Sequence, residues 1–156
     1  IRALKADLRT PLARALAPAL ACALDEAWVA TGGAHARPPL LLPIPTSRAS
    51  WRRRGVRVVE LLLRRAGARP CRALRHARRV ADQRGLDRAD RGNNVAHSMR
   101  CAEMRGATVL LVDDVVTTGA TLVEASRAVT AAGGLVVGAV TLASTPLVFG
   151  GSRSDA

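Results

Sequence analysis

The sequence is poor in aromatic residues: Trp28, Trp51 and Phe149 are all it has, and it contains no tyrosine. A core built from it must be aliphatic, and nucleic-acid binding through stacking platforms has few side chains to use. Lysine is nearly missing as well, with Lys5 alone among 24 basic residues. Arginine therefore carries the positive charge. Genomic base composition alone can produce such a bias, so arginine identity has little functional weight by itself. Cysteine is limited to Cys22, Cys71 and Cys101. Their spacing excludes a local metal ribbon, and the odd count argues against a disulfide framework, which leaves buried reduced thiols as the expectation. Long apolar runs are absent too. The longest uncharged apolar stretch near the N-terminus, Ala15 to Leu24, is too short to cross a bilayer and is broken by Pro18. No signal peptide is recognisable, so no membrane partner is expected and the cytoplasm is the default compartment.

What is present suffices for about one domain: 156 residues, 49% of them hydrophobic. The net charge of +12 is unevenly placed. Between Arg48 and Arg91, fifteen arginines stand against Glu60, Asp82, Asp87 and Asp90, which leaves the flanks nearly neutral. Such a block concentrates anions by electrostatic focusing. Two partners fit it, a multiply ionised sugar pyrophosphate or, weakly and non-specifically, a nucleic-acid backbone. Many of these arginines would simply solvate helix faces.

Periodicity and turn residues sort the chain into elements. Residues 2–9 and 12–30 read as helical, with Thr10 and Pro11 as N-cap and first turn and Gly32-Gly33 as the stop. Pro38-Pro39 marks a turn before a buried strand from Leu40 to Ile44. A loop at Pro45-Thr46-Ser47 leads into a helix from about Ser50 to Arg65, with Val56, Val59, Leu62 and Leu63 inward. Leu74 sits in a short segment of no clear type, and Ala81 to Asn94 reads as a polar loop. A short strand is expected within 96–102, a buried strand at 108–113, a helix from Leu122 to Ala132 and a final strand from Leu135 to Leu142. The alternation predicts an α/β fold: one domain over residues 1–145, a parallel sheet with helices on both faces, a helical arm at 1–33 and a tail at 146–156.

One stretch carries chemistry. Val109-Leu110-Leu111-Val112-Asp113-Asp114-Val115-Val116-Thr117-Thr118-Gly119-Ala120-Thr121 opens as a run of branched apolar residues, the pattern of a strand buried on both faces. Two carboxylates follow, then a loop of small hydroxyl residues and glycine at the start of a helix. Ligands of open α/β sheets collect at such strand ends, and a helix N-terminus offers N–H groups to phosphate. Carboxylates suit sugar hydroxyls or a metal, and the loop suits a phosphate. Either piece alone is ordinary, since Asp pairs cap helices and Thr-Gly makes turns. Thirteen consecutive positions in strand–loop–helix order are far more specific.

This motif resembles the phosphoribosyl-pyrophosphate (PRPP) signature of type I phosphoribosyltransferases. The resemblance implies that Asp113 and Asp114 take the ribose hydroxyls, and that Thr117, Thr118, Gly119, Ala120 and Thr121 wrap the 5′-phosphate. Further segments are similar to the ComF type, associated with bacterial competence. Leu42-Pro43-Ile44-Pro45-Thr46-Ser47-Arg48, Arg53-Arg54-Gly55-Val56 and Glu60-Leu61-Leu62 match its first strand, pyrophosphate loop and following helix. Arg79, Gln83, Gly85-Leu86, Arg91 and Asn94-Val95 match its mobile loop region, and Leu4-Lys5 its N-terminal arm. Arg48 and Arg54 are thereby candidates for the pyrophosphate side, and Gln83, Arg91 and Asn94 for a lid. Two features depart from the pattern. The family's Arg-Gly-Phe-Asn-Gln run is here Arg54-Gly55-Val56-Arg57-Val58, and the Cys-rich zinc module of many members has no counterpart in these residues.

The implied mechanism displaces pyrophosphate from C1 of PRPP through an oxocarbenium-like centre. Mg²⁺ and cationic side chains neutralise the leaving group. Hypoxanthine–guanine-type enzymes place an Asp where Thr117 stands; a threonine hydroxyl accepts no proton at neutral pH, so purine salvage of that type is not expected. Nothing in the residues specifies the acceptor, and a homodimer is compatible with the pattern. Three classes of function fit: a phosphoribosyltransferase of unknown acceptor, a PRPP-binding regulator without turnover, and a DNA-handling accessory of competence.

Overall fold

The computed structural model describes residues 10–31, 37–47, 50–52, 55–77 and 97–144. The expected helix at 2–9, the Gly32-Gly33 stop, the loop at 81–94 and the tail at 146–156 lie outside these residues. The first helix, α1, runs Thr10–Ala30. Pro18 sits inside it without ending it, and the helix covers the stretch expected at 12–30. An interior proline costs about 3 kcal/mol through its missing N–H and its ring. Here it occupies the exposed side, while Ala13, Ala17 and Leu20 bury the opposite one. Packing of that face holds the helix together.

Strand β1 (Leu40–Pro43) is followed by helix α2 (Val58–Arg65) rather than by one helix from residue 50. A short helical turn at 50–52 closes with Gly55 N–H donating to the Trp51 carbonyl at 2.7 Å. Gly55 then adopts φ +65°, the left-handed region that glycine enters without a Cβ penalty, and the helix is interrupted there. Val58, Val59, Leu62 and Leu63 form the buried face of α2, with Val56 packed beside it.

The segment around Leu74 is a strand, β2 (Leu74–His76), paired antiparallel with β3 (Met99–Cys101). Nothing in the sequence marks this strand, because three residues are too few for a period to show. Then follow β4 (Thr108–Val116), α3 (Ala120–Ala131) and β5 (Leu135–Ser144). The main sheet is parallel, as expected, and its strand order is β1-β4-β5. On the outer side of β1, Leu41 bridges Pro70 in parallel, and its carbonyl accepts the Cys71 N–H at 2.8 Å.

Alternation along β4 divides the core into two. Leu110 and Val112 pack with α1 and α2, whereas Val109 and Leu111 pack with α3, Leu74 and Met99. All four are at most 2% exposed, and each such burial contributes about 1.5–3 kcal/mol. Helices thus cover both faces of the sheet, which makes this an α/β fold. The cysteines are free, but they are not buried: Cys22 is exposed on α1, and Cys71 and Cys101 lie half-buried at the rim of the α3-side core. Burial raises the pKa of the Cys101 thiol, with a smaller contribution from nearby Cys71. No helix among the described residues is long and apolar enough to cross a membrane.

Candidate functional site

The Asp pair lies within β4, because the strand continues through Val116 rather than stopping at Asp113. Val115 and Val116 pair with Ala143 and Ser144 of β5, and their branched side chains favour that extension. On the other side β1 ends at Pro43, opposite Val112, with one more bond from the Ile44 N–H to the Val112 carbonyl at 2.9 Å. Beyond this point β4 has a strand neighbour on one side and the departing 44–47 loop on the other. That opening, at the C-terminal end of parallel strands, is where open α/β sheets receive ligands.

Strand alternation sends the two carboxylates to opposite faces. Asp113 continues the Leu111 row toward α3, and Asp114 the Val112 row toward α1 and α2. Asp113 is half-buried and Asp114 is 5% exposed. The Asp113 Oδ1 accepts the Asp114 backbone N–H at 2.8 Å, and neither carboxylate is without further partners.

Thr117 and Thr118 are exposed. Gly119 is the N-cap of α3 at φ +77° and ψ −5°, a left-handed conformation suited to glycine. Its carbonyl accepts the Val123 N–H at 3.0 Å, which starts the helical ladder. The N–H groups of Ala120, Thr121 and Leu122 precede that ladder and project from the first turn at the positive end of the helix dipole. The Thr118 Oγ reaches the Ala120 N–H at 3.4 Å, a long contact. Hydroxyls, N–H groups and two carboxylates are therefore gathered within nine consecutive residues. A cavity of about 440 Å³ between the end of α1 and β5 holds no titratable side chain and is unrelated to them.

The remaining candidates, Arg48, Arg54, Gln83, Arg91 and Asn94, lie outside the described residues. Their surroundings are partly visible. Ser47 starts the 50–52 turn, its Oγ accepting the Ser50 N–H at 3.2 Å and its carbonyl the Trp51 N–H at 2.9 Å. The two positions where the Arg-Gly-Phe-Asn-Gln run would carry Asn-Gln have other work here. Val58 is 3% exposed in the core, and the Arg57 Nη1 donates to the Glu60 Oε1 at 3.1 Å.

The sequence does not mark Glu60 and Glu124 as buried carboxylates. Glu60, 7% exposed, also accepts from the Arg72 Nε at 2.8 Å and from its Nη2, with the Arg64 Nη2 at 4.0 Å. Three arginines of the basic block are thus spent on one internal carboxylate. The i,i+3 and i,i+4 spacing of Arg57, Glu60 and Arg64 was the available signal. Glu124, 4% exposed on α3, accepts from the Arg127 Nε at 2.7 Å, the Arg127 Nη2 at 2.9 Å and the Met99 N–H at 2.9 Å. The Arg127 bonds bring the Glu124 pKa down to about 2 against its burial, with help from the Met99 and His97 N–H groups. Arg127 is held above its ordinary value by the same pairing. Its Nη2 also donates to the Met99 carbonyl at 3.1 Å.

Residues 52–147 match the family of the phosphoribosyl transferase domain. Comparison with curated proteins finds no match. The matched stretch exceeds half of the chain and contains the Asp pair, the Thr-Gly loop, α3 and the antiparallel ribbon. The chain belongs to the phosphoribosyl transferase domain family.

Proposed function

We propose that this chain is a phosphoribosyltransferase of the ComF type, which binds PRPP with Mg²⁺ and transfers its phosphoribosyl group to an acceptor with release of pyrophosphate. The observation that supports this best is the continuous assembly from Asp113 to Thr121. A carboxylate pair stands at an open strand edge, immediately before a glycine-initiated helix N-terminus. Asp113 and Asp114 would accept the ribose hydroxyls, and the Thr117–Thr121 backbone would cradle the 5′-phosphate.

Among the described residues no group of three or more His, Cys, Asp or Glu side chains could hold a metal ion. The carboxylates of Asp113 and Asp114 would suit Mg²⁺ carried in on substrate phosphates, an ion that takes one or two carboxylates from a protein rather than a dedicated cage. The chemistry such an ion would supply is neutralisation of charge on the leaving pyrophosphate. The protein's share is to fix the ribose in line and to present cationic side chains, for which Arg48 and Arg54 are the candidates.

A second reading, a PRPP-binding regulator without turnover, draws on the same assembly, because everything in it binds and none of it is an evident general base. Calorimetric titration with Mg²⁺–PRPP, followed by a pyrophosphate-release screen over nucleobase, amine and ammonia acceptors, tests both. Binding with release supports the transferase. Binding without release for any acceptor favours the regulator, and no binding overturns both.

A further inference from the structure

We infer that Glu124 is a positioning residue of the proposed PRPP site, tying the helix that carries the phosphate loop to the Met99–His76 rung of the antiparallel ribbon. The inference rests on the PRPP reading of Asp113–Thr121. Glu124 lies one helical turn beyond the N–H groups that would face the phosphate, and points away from them into the core. Its carboxylate takes the Met99 N–H, and Arg127 closes the ring by donating to both Glu124 and the Met99 carbonyl. Both backbone polar groups of Met99 are thereby bound to α3 side chains.

Met99 is the cross-strand partner of His76, and the His76 Nε2 lies 2.9 Å from the Pro45 carbonyl. A carbonyl only accepts, so this nitrogen carries the proton. The contacts form an unbroken chain from the Gly119 turn through α3, Glu124, Met99 and His76 to Pro45. Its two ends are the loops after β4 and β1, the two loops that flank the opened strand edge. His97, just ahead of Met99, has φ +58° without being glycine, so the ribbon begins from a left-handed turn directly beside the bond from the Met99 N–H to Glu124.

A merely structural Glu124 would lower stability without changing how the loops respond to ligand. The test is hydrogen exchange and calorimetry on the wild type, Glu124→Gln and His76→Ala, each with and without Mg²⁺–PRPP. Glu124→Gln keeps an acceptor for Met99 but gives up the ionic bond to Arg127, and His76 is exposed, so both variants should fold. In the wild type, ligand should slow exchange at 117–122 and, through the chain, at 97–101 and at 44–47. In Glu124→Gln the protection should stay at 117–122 and weaken at 97–101, with PRPP affinity lowered roughly two- to thirtyfold. His76→Ala should keep the protection of 97–101 and lose that of 44–47. Equal protection of 97–101 in wild type and Glu124→Gln, or wild-type affinity in a Glu124→Gln protein that has only lost thermal stability, overturns the inference. Absence of protection at 117–122 in the wild type overturns the PRPP reading itself, and the inference with it.

Discussion

Asp113 and Asp114 are adjacent in sequence yet face opposite sides of β4, and the Oδ1 of the first accepts the backbone N–H of the second at 2.8 Å. One strand end therefore presents a carboxylate to each helical layer, and the half-buried one is oriented by its own neighbour's backbone. Hydrogen bonds to charged acceptors contribute about 1.5–3 kcal/mol each. Asp113→Asn and Asp114→Asn should each weaken Mg²⁺–PRPP binding roughly ten- to a hundredfold, by that range, in a folded protein. Asp114→Asn should also shift thermal stability more, because its side chain is the more deeply buried. Calorimetry beside thermal denaturation checks both statements, and unchanged affinity in both folded variants would remove the ribose-binding role.

Gly119 offers a cleaner separation of fold from function. A Cβ built there meets no atom within 4 Å, so the protein has room for a side chain. The obstacle within the protein is the backbone, since φ +77° costs a non-glycine residue about 1–2 kcal/mol. Gly119→Val should lower stability on that order while abolishing PRPP binding, because its side chain would occupy the space above the loop. Thr118→Ala removes only a hydroxyl at 3.4 Å from the Ala120 N–H and should cost far less affinity. Equal losses from the two variants would show that the backbone N–H groups are not the phosphate ligands.

Much of this was legible beforehand where a pattern ran long enough. The branched run of β4, the glycine turn and the amphipathic helices fixed the parallel sheet and its two helical layers. An element without a period of its own did not show: β2 is three residues long, and Leu74 is recognisable only through the core it shares with α3, whereas β3 falls within the strand expected at 96–102. The split of α2 turned on the conformation of Gly55, which composition does not reveal. Nothing local marks Glu60 and Glu124 as buried, because their burial depends on neighbours distant in sequence, namely Arg72 for one and Met99 for the other.

Glu124 also sets an acid limit on the fold. Its pKa in the folded protein is about 2, below the ordinary 4.5, so the folded state binds its proton less readily than the unfolded chain does. The stabilisation is complete above about 4.5 and is lost as pH falls from there through about 2. Denaturation curves of the wild type should therefore fall across that window more steeply than those of Glu124→Gln, which should already be less stable at neutral pH. Parallel acid limbs in the two proteins would contradict the pairing with Arg127.

The basic block separates a small-ligand site from a nucleic-acid surface. Neutralising several DNA phosphates makes affinity fall with salt at a log–log slope of about −0.9 per contact. PRPP held mainly by the Gly119 loop should respond much less steeply. Charge reversal is best placed at Arg65 and Arg69, both exposed. Arg64 is a poorer choice, because its guanidinium lies 4.0 Å from Glu60 and a carboxylate there would repel that buried acid. Arg57 and Arg72 are likewise committed to Glu60, which leaves less of the block available to a polyanion than its formal charge suggests. Arg65→Glu/Arg69→Glu should thus abolish a weak, sequence-independent DNA retention that already fades near physiological salt, and should leave Mg²⁺–PRPP affinity unchanged. Gel-shift and calorimetric titrations across a salt series decide the matter. Tight DNA binding at physiological salt without PRPP affinity would make the DNA-handling role the primary one.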